Sequence, residues 1–317
     1  MNKTIIFLLA GLTILSTSSS AELSVIDQQM DRYVQTQGIS ADNLSLTQQA
    51  PAPALTGTMW AGRAGRPRQE FGFGVERYAY GYRELVAGEK FMSTRGTYRG
   101  LFASYTFRPV DIDTLSDWVL DVFRAELRYA TANVDYTGTG TFPGLKDAMY
   151  EIRGVLGKEY DVTRTLLVSP YAGLGWRYLH NALDMSQPGG YARESTYLYL
   201  PLGMQVYQRL PGAWGIGMGL EYDYLIQGWQ RSHLEDIDPK LDPMTNRQDK
   251  GFGFRGSLKV VKELRMVRLS IEPFYRYWKI ERSSIEPVTV AGQLTGWVAN
   301  EPENTTQEVG VRLGAEF

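Results

Sequence analysis

The chain has 317 residues, and its 33 Lys and Arg against 35 Asp and Glu give a formal net charge of −2, so no basic excess points to a nucleic-acid partner. It contains no cysteine and 2 histidines, which excludes disulfide scaffolds, thiolate metal sites and thiol catalysis. The mean hydropathy of −0.28 is that of an ordinary soluble protein, yet 33 Gly, 20 Tyr, 12 Phe and 7 Trp suggest many short aromatic strands spaced by glycine.

At the start, Lys3 precedes an uncharged apolar run over 5–15 and small residues up to Ala21. This order of basic, apolar and small residues predicts a cleaved secretory signal peptide over 1–21. The run is shorter than the ~20 residues that a membrane-spanning helix needs. In 22–69, Leu23, Ile26, Met30 and Tyr33 recur at helical spacing, predicting a short helix or a coiled-coil seam of about two heptads. The QQAPAP run at 48–53 then reads as an extended linker.

From residue 70 onward the apolar residues alternate. Four weaker stretches cover 70–83, 97–108, 120–136 and 148–160. In 166–176, Leu166, Val168, Ala172, Leu174 and Trp176 oppose Ser169, Gly173 and Gly175. The alternation repeats over 198–207 and 214–224, then over 252–260 and 267–277. In the last stretch Val309, Val311, Leu313, Ala315 and Phe317 oppose Glu308, Gly310, Arg312, Gly314 and Glu316. Side chains alternate across a strand, so each stretch has one apolar and one polar or glycine face. The expected short links are 110–116, 161–164, 211–213 and 262–266. The expected long ones are 84–95, 137–147, 181–196, 230–250 and 282–304.

With its alternating last strand and terminal Phe317, the sequence resembles Gram-negative outer-membrane β-barrel proteins, the small porin-like and OmpA-like barrels among them. The resemblance implies an all-β fold: a transmembrane, antiparallel, up-and-down β-barrel over 70–317 with about ten strands, eight and twelve staying open. It implies location in the bacterial outer membrane, contact with outer-membrane lipids, and Phe317 as a signal to the barrel-assembly machinery. Residues 22–69 become a periplasmic N-terminal extension that could tuck into the barrel, meet a periplasmic partner or stay disordered.

Strand parity then assigns the inward residues. The acids are Glu76, Glu126, Glu151, Glu221, Asp223, Glu272 and Glu308; the bases are Arg124, Arg128, Arg153, Arg177, Arg255, Lys259, Arg276 and Arg312. Near-equal numbers of opposite charge predict a paired network, because an unpaired buried charge costs several kcal/mol. Wide open lumens belong to barrels of 16–18 strands, so a polar plug is favoured over a solute path, with slow small-solute passage as the remaining channel reading. Gly215, Gly217 and Gly219 lie in an alternating strand with no following helix, so they make room for neighbouring side chains and do not cradle a nucleotide. Trp176, Tyr178, Tyr222, Tyr224, Tyr275 and Tyr277, with Trp214 and Phe317 at the other rim, are expected to form the interfacial girdles.

The expected function is therefore that of a non-enzymatic envelope or surface barrel, with no cofactor and no metal. The enzyme alternative is an omptin-like protease or a lipid hydrolase. Omptin sites pair Asp–His with Asp–Asp, and His233 does lie among the loop acids Glu235, Asp236, Asp238, Asp242 and Asp249. However, Arg231 occupies the place of the omptin aspartate, and Asp135 stands alone at the end of the third strand. His180 lacks a neighbouring Ser–acid pattern and is expected at the rim.

Overall fold

The computed structural model describes residues 67–109, 121–183 and 190–317. The signal peptide, all but the last three residues of 22–69, and the link at 110–116 lie outside the described residues. The strands are β1 (Gln69–Val86), β2 (Glu89–Phe107), β3 (Val122–Thr137), β4 (Thr141–Gly157), β5 (Tyr160–Asp161), β6 (Leu166–Asn181) and β7 (Arg193–Leu210). They continue with β8 (Trp214–Ser232), β9 (Met244–Gln248), β10 (Gly251–Glu263), β11 (Arg268–Ile280), β12 (Glu286–Val290), β13 (Gln293–Ala299) and β14 (Glu303–Glu316). Ten of them form an antiparallel barrel in the order β1-β2-β3-β4-β6-β7-β8-β10-β11-β14, and β14 pairs back onto β1. Closure leaves no strand edge among these ten, as a bilayer requires.

The closing seam is continuous from Gly72↔Glu316 to Leu85↔Glu303. Phe317 continues it by exchanging backbone hydrogen bonds with Phe71 (3.1 and 2.9 Å), and its ring stacks on Phe73 at 5.5 Å. Both strand termini of the barrel, at Gln69 and Glu316, lie at one rim. That is the periplasmic end in such barrels, where longer loops face outward. Two long excursions, 233–250 and 281–302, leave the opposite rim, where the link between β6 and β7 is described only at 182–183 and 190–192.

Two of the expected long external links are tight turns. β1 and β2 are joined by Ala87-Gly88, both with positive φ (54° and 85°), and β3 and β4 by residues 138–140. The strands run on past the membrane because the alternation inverts there. Below, Val75, Leu101, Leu127, Ile152 and Leu174 face lipid and charges face the lumen. Above, the inward positions carry Tyr78, Tyr80, Tyr98, Val134, Leu145, Met149 and Leu179, packed as one core. The outward ones become Arg77, Arg99, Asn133 and Lys146. The outward apolar residues end at this level although the strands continue.

The girdle at that level is a run of outward aromatics. Val75, Leu101, Tyr129, Tyr150 and Tyr178 lie in one cross-strand row. Tyr129 meets Tyr150 at 4.8 Å, and Trp176 stacks on Tyr178 at 5.9 Å. Tyr222, Phe252 and Tyr277 continue it on the far wall.

Two inward glycines set the lumen packing. The ring of Tyr199 occupies the space that a Cβ on Gly175 would need, and the ring of Tyr171 does so at Gly203. Gly175→Ala is expected to cost about 1–3 kcal/mol through overpacking, seen as a lower urea midpoint of the folded band on unboiled gels. Gly256→Ala, whose added methyl meets only ordinary contacts at 3.8 Å, should leave the midpoint in place.

Candidate functional site

Cross-strand register brings inward charges of opposite sign side by side at mid-height. The paired positions include Arg128↔Glu151, Glu126↔Arg153, Arg255↔Glu221, Arg276↔Glu308 and Glu76↔Arg312. Long side chains from opposite walls then link these pairs across the lumen. Arg128 on β3 reaches Glu76 on β1 (2.8 Å), Glu151 on β4 (2.5 Å) and Glu308 on β14 (3.3 Å). Glu151 also binds Arg255 on β10, and Arg255 contacts Asp223 at 2.7 Å and Glu221 at 3.1 Å on β8. Arg153 joins Glu221 (2.5 Å) to Glu126 (3.7 Å). Arg312 donates through both terminal nitrogens to Glu126, each at 3.0 Å, and through Nε to Glu76 at 2.9 Å.

The links close on themselves: Arg128, Glu151, Arg255, Glu221, Arg153, Glu126, Arg312 and Glu76 form a circuit of alternating charge. Arg276 braces it by contacting Glu308 (3.0 Å) and Glu76 (3.3 Å), and Arg177 by contacting Glu308 (2.8 Å). Two tyrosines complete the acceptors' shell, with Tyr199 Oη donating to Glu151 (2.7 Å) and Tyr171 Oη to Glu221 (2.8 Å). The side chains of Arg128 and Glu76 are 1% and 0% exposed. Charge-assisted, multiply bonded pairs are the arrangement that offsets the desolvation of so many ions.

Aromatic faces accompany the guanidiniums. Arg276 lies 3.8 Å from the Phe274 ring centroid, Arg312 4.7 Å from Phe102 and Arg255 5.3 Å from Tyr199. Toward the extracellular side the lumen holds the buried aromatic and aliphatic core described above, joined by Tyr197, Leu225, Trp278 and Ile280. Toward the periplasm it opens into a cavity of about 270 Å³, lined by Ser104, Tyr171, Gln205, Ser257 and Glu272 among others.

Of the fifteen inward charges named from parity, eight form the circuit, Asp223, Glu308, Arg177 and Arg276 attach to it, and three lie away from it. Glu272 lines the cavity. Arg124 pairs with Glu159 (3.2 Å) and Lys259 with Glu316, in a second cluster near the periplasmic rim. There Arg108 joins Glu70 (2.9 Å) to Glu159 (3.1 Å), and Arg268 joins Glu70 (2.8 Å) to Glu316 (2.6 Å). Parity fixes which way a side chain points; its height depends on strand tilt. Tyr171 and Tyr199 escaped notice as network members, although each faces an inward glycine one strand away.

The extracellular excursions build a separate apolar cluster of Leu234, Met244, Val288 and Ala299. Beside it is a cavity of about 420 Å³ with Glu84, Arg193 and Glu301 in its wall. Arg193 clamps both carboxylates, Glu84 at 2.6 Å and Glu301 at 2.5 Å. Burial pushes the Glu301 carboxyl above its ordinary range; Arg193 opposes the rise and Glu84 adds to it.

His233 sits between Glu235 (2.9 Å) and Glu194 (3.3 Å) on its own side of the rim. The other loop acids serve the backbone or a neighbour. Asp236 accepts from the Ala192 N–H, Asp238 from Lys240 and Asp242 from Gly292, while Asp249 pairs with Arg247. Asp135 accepts from the Gly144 N–H (3.0 Å), holding the β3–β4 turn. His180 lies on β6 opposite Ala148 and Glu194.

No protein-family profile matches the chain, and no curated protein matches it. Among solved structures it is similar to the outer membrane protease OmpT from Escherichia coli, with 8% identity and a TM-score of 0.54 over 78% of this chain and 96% of that one. It also matches the translocator domain of the autotransporter NalP from Neisseria meningitidis, with 10% identity, a TM-score of 0.35, and 94% of this chain and 99% of that one covered. The toluene transporter TodX from Pseudomonas putida follows, with 10% identity, a TM-score of 0.30, and 80% and 90% covered. The likeness to OmpT is one of fold. Together with the lipid-facing belt and aromatic girdle, it identifies the chain as a β-barrel of the bacterial outer membrane.

Proposed function

We propose that this barrel is a non-enzymatic envelope protein whose lumen is sealed, so that it presents its extracellular excursions from a rigid base and does not conduct solutes. The observation that supports this most directly is the closed Arg–Glu circuit at mid-height, with an apolar core on its extracellular side. A solute crossing would have to separate buried ion pairs, and removing one partner of such a pair costs about 3–5 kcal/mol. His233 has two carboxylate neighbours, Glu235 and Glu194. Asp236, Asp238 and Asp242, however, each accept a backbone N–H, and Asp249 pairs with Arg247. The other loop acids are thus already occupied, which speaks against an omptin-like pairing. Phe317, within the β1–β14 seam, is the residue we assign as the signal to the assembly machinery.

The test is planar-bilayer recording of the purified barrel. The expected result is a current at the lipid baseline at moderate voltage, with brief rare events at most. Regular unitary steps would mean that the circuit leaves a continuous water path, and the sealed-lumen reading would fall.

A further inference from the structure

The outward face of β1 and β2 changes character abruptly above the girdle. Phe71, Phe73 and Val75 on β1 and Leu101 on β2 are exposed apolar residues. At the next outward position on each strand stand Arg77 and Arg99, both exposed and directly paired in register. Further outward come Ala79 opposite Thr97, then Gly81 opposite exposed Arg95, then Arg83 opposite Ser93. The four arginines thus surround a shallow floor of Ala79, Thr97 and Gly81, and a methyl group added at Gly81 would touch nothing.

Within the described residues none of Arg77, Arg83, Arg95 and Arg99 forms an ion pair. The nearest acid in register is Asp135, opposite Arg95 on β3, and its Oδ1 holds the Gly144 N–H. Like charges opposite each other on a strand pair are destabilising, so Arg77 and Arg99 form a poor arrangement unless an anion lies between them. The guanidinium fork matches phosphate oxygens through two parallel hydrogen bonds. Position selects the source of that phosphate. The Arg77–Arg99 row lies immediately beyond the row that carries Val75, Leu101, Tyr129 and Tyr150, where lipid chains end and headgroups begin.

We propose that Arg77 and Arg99 bind the phosphate of an outer-leaflet lipid headgroup, with Arg95 and Arg83 facing the outer part of that headgroup and the lipid's chains laid along Val75, Phe73 and Leu101. The site is independent of whether the lumen conducts.

Native mass spectrometry of the full barrel released from detergent tests it, using a diphosphorylated glycolipid, its dephosphorylated counterpart and inorganic phosphate as probes. The wild-type barrel should retain one diphosphorylated lipid, with at least tenfold less retention in Arg77→Gln/Arg99→Gln. Arg231→Gln, which removes an exposed outward arginine on β8, should keep wild-type retention. Because the replaced side chains are exposed, the variant should show the unaltered folded band on unboiled gels. Retention of the dephosphorylated lipid to the same extent would overturn the proposal, as would equal retention by the double variant or displacement of the lipid by millimolar inorganic phosphate. An equal loss in Arg231→Gln would overturn it too, since it would reveal general charge attraction and not a built site.

Discussion

Arg128→Ala is expected to destabilise the barrel by about 3–5 kcal/mol, the largest effect of any single lumen substitution considered. Arg128 is the junction of three buried carboxylates, Glu76, Glu151 and Glu308. Deleting it leaves these acids with the five remaining arginines of the network: Arg153, Arg177, Arg255, Arg276 and Arg312. The lost charge cannot be replaced by solvent, because the side chains at this level are almost wholly enclosed. The paired change Arg128→Met/Glu151→Met restores the charge balance and keeps the volume apolar. It should therefore cost less than Arg128→Ala, since replacing both partners of a buried pair by packed hydrophobic residues is often neutral. The measurement is a urea titration of the folded band, with Glu151→Met completing a double-mutant cycle. If Arg128→Ala shifted the midpoint no more than an exposed substitution does, or if the double change were as damaging as the single ones added, the circuit would not be a coupled unit.

Much of the fold could be read from the residues, and the reason is geometric. In the membrane-embedded part of each strand, lipid requires an apolar residue at every second position, so parity pointed to about ten strands, with eight and twelve open, and separated lumen from lipid. The lower strand segments, such as Leu269, Ile271 and Tyr275 against Glu272 and Arg276, carry that signal fully. The extracellular segments do not. There the outside is water and the inside is a protein core, so Tyr78 and Tyr80 face in while Arg77 and Arg83 face out. The alternation persists with its sign reversed, so the outward apolar signal stops where the strands cross the interface. The tight turns at Ala87-Gly88 and 138–140 were missed for that reason.

The charge network was legible in composition but not in connection. Inward Arg and Glu could be listed from parity, whereas contacts such as Arg128–Glu308 and Arg312–Glu126 join residues 180 and 186 positions apart. Those contacts depend on the stagger of the closed barrel, which no single strand encodes. For the same reason the list of inward charges did not separate Arg124 and Lys259, which belong to the periplasmic cluster, from the central circuit. The extracellular Glu84–Arg193–Glu301 clamp carried no sequence signal, since it forms only when the long excursions fold over the rim.

A sealed lumen has two compartments, one on each side of the circuit, and the absence of cysteine lets single introduced cysteines tell them apart. Ser257 lines the cavity on the periplasmic side of the circuit, and Thr245 is exposed on β9 at the extracellular end. Each is replaced singly by cysteine, and a small membrane-impermeant methanethiosulfonate is applied either to intact cells or to the periplasmic face of isolated outer membranes. Thr245→Cys should react from outside. Ser257→Cys should react only from the periplasmic face. Modification of Ser257→Cys from outside, at a rate comparable to that of Thr245→Cys, would mean that the lumen is continuous and would contradict the account.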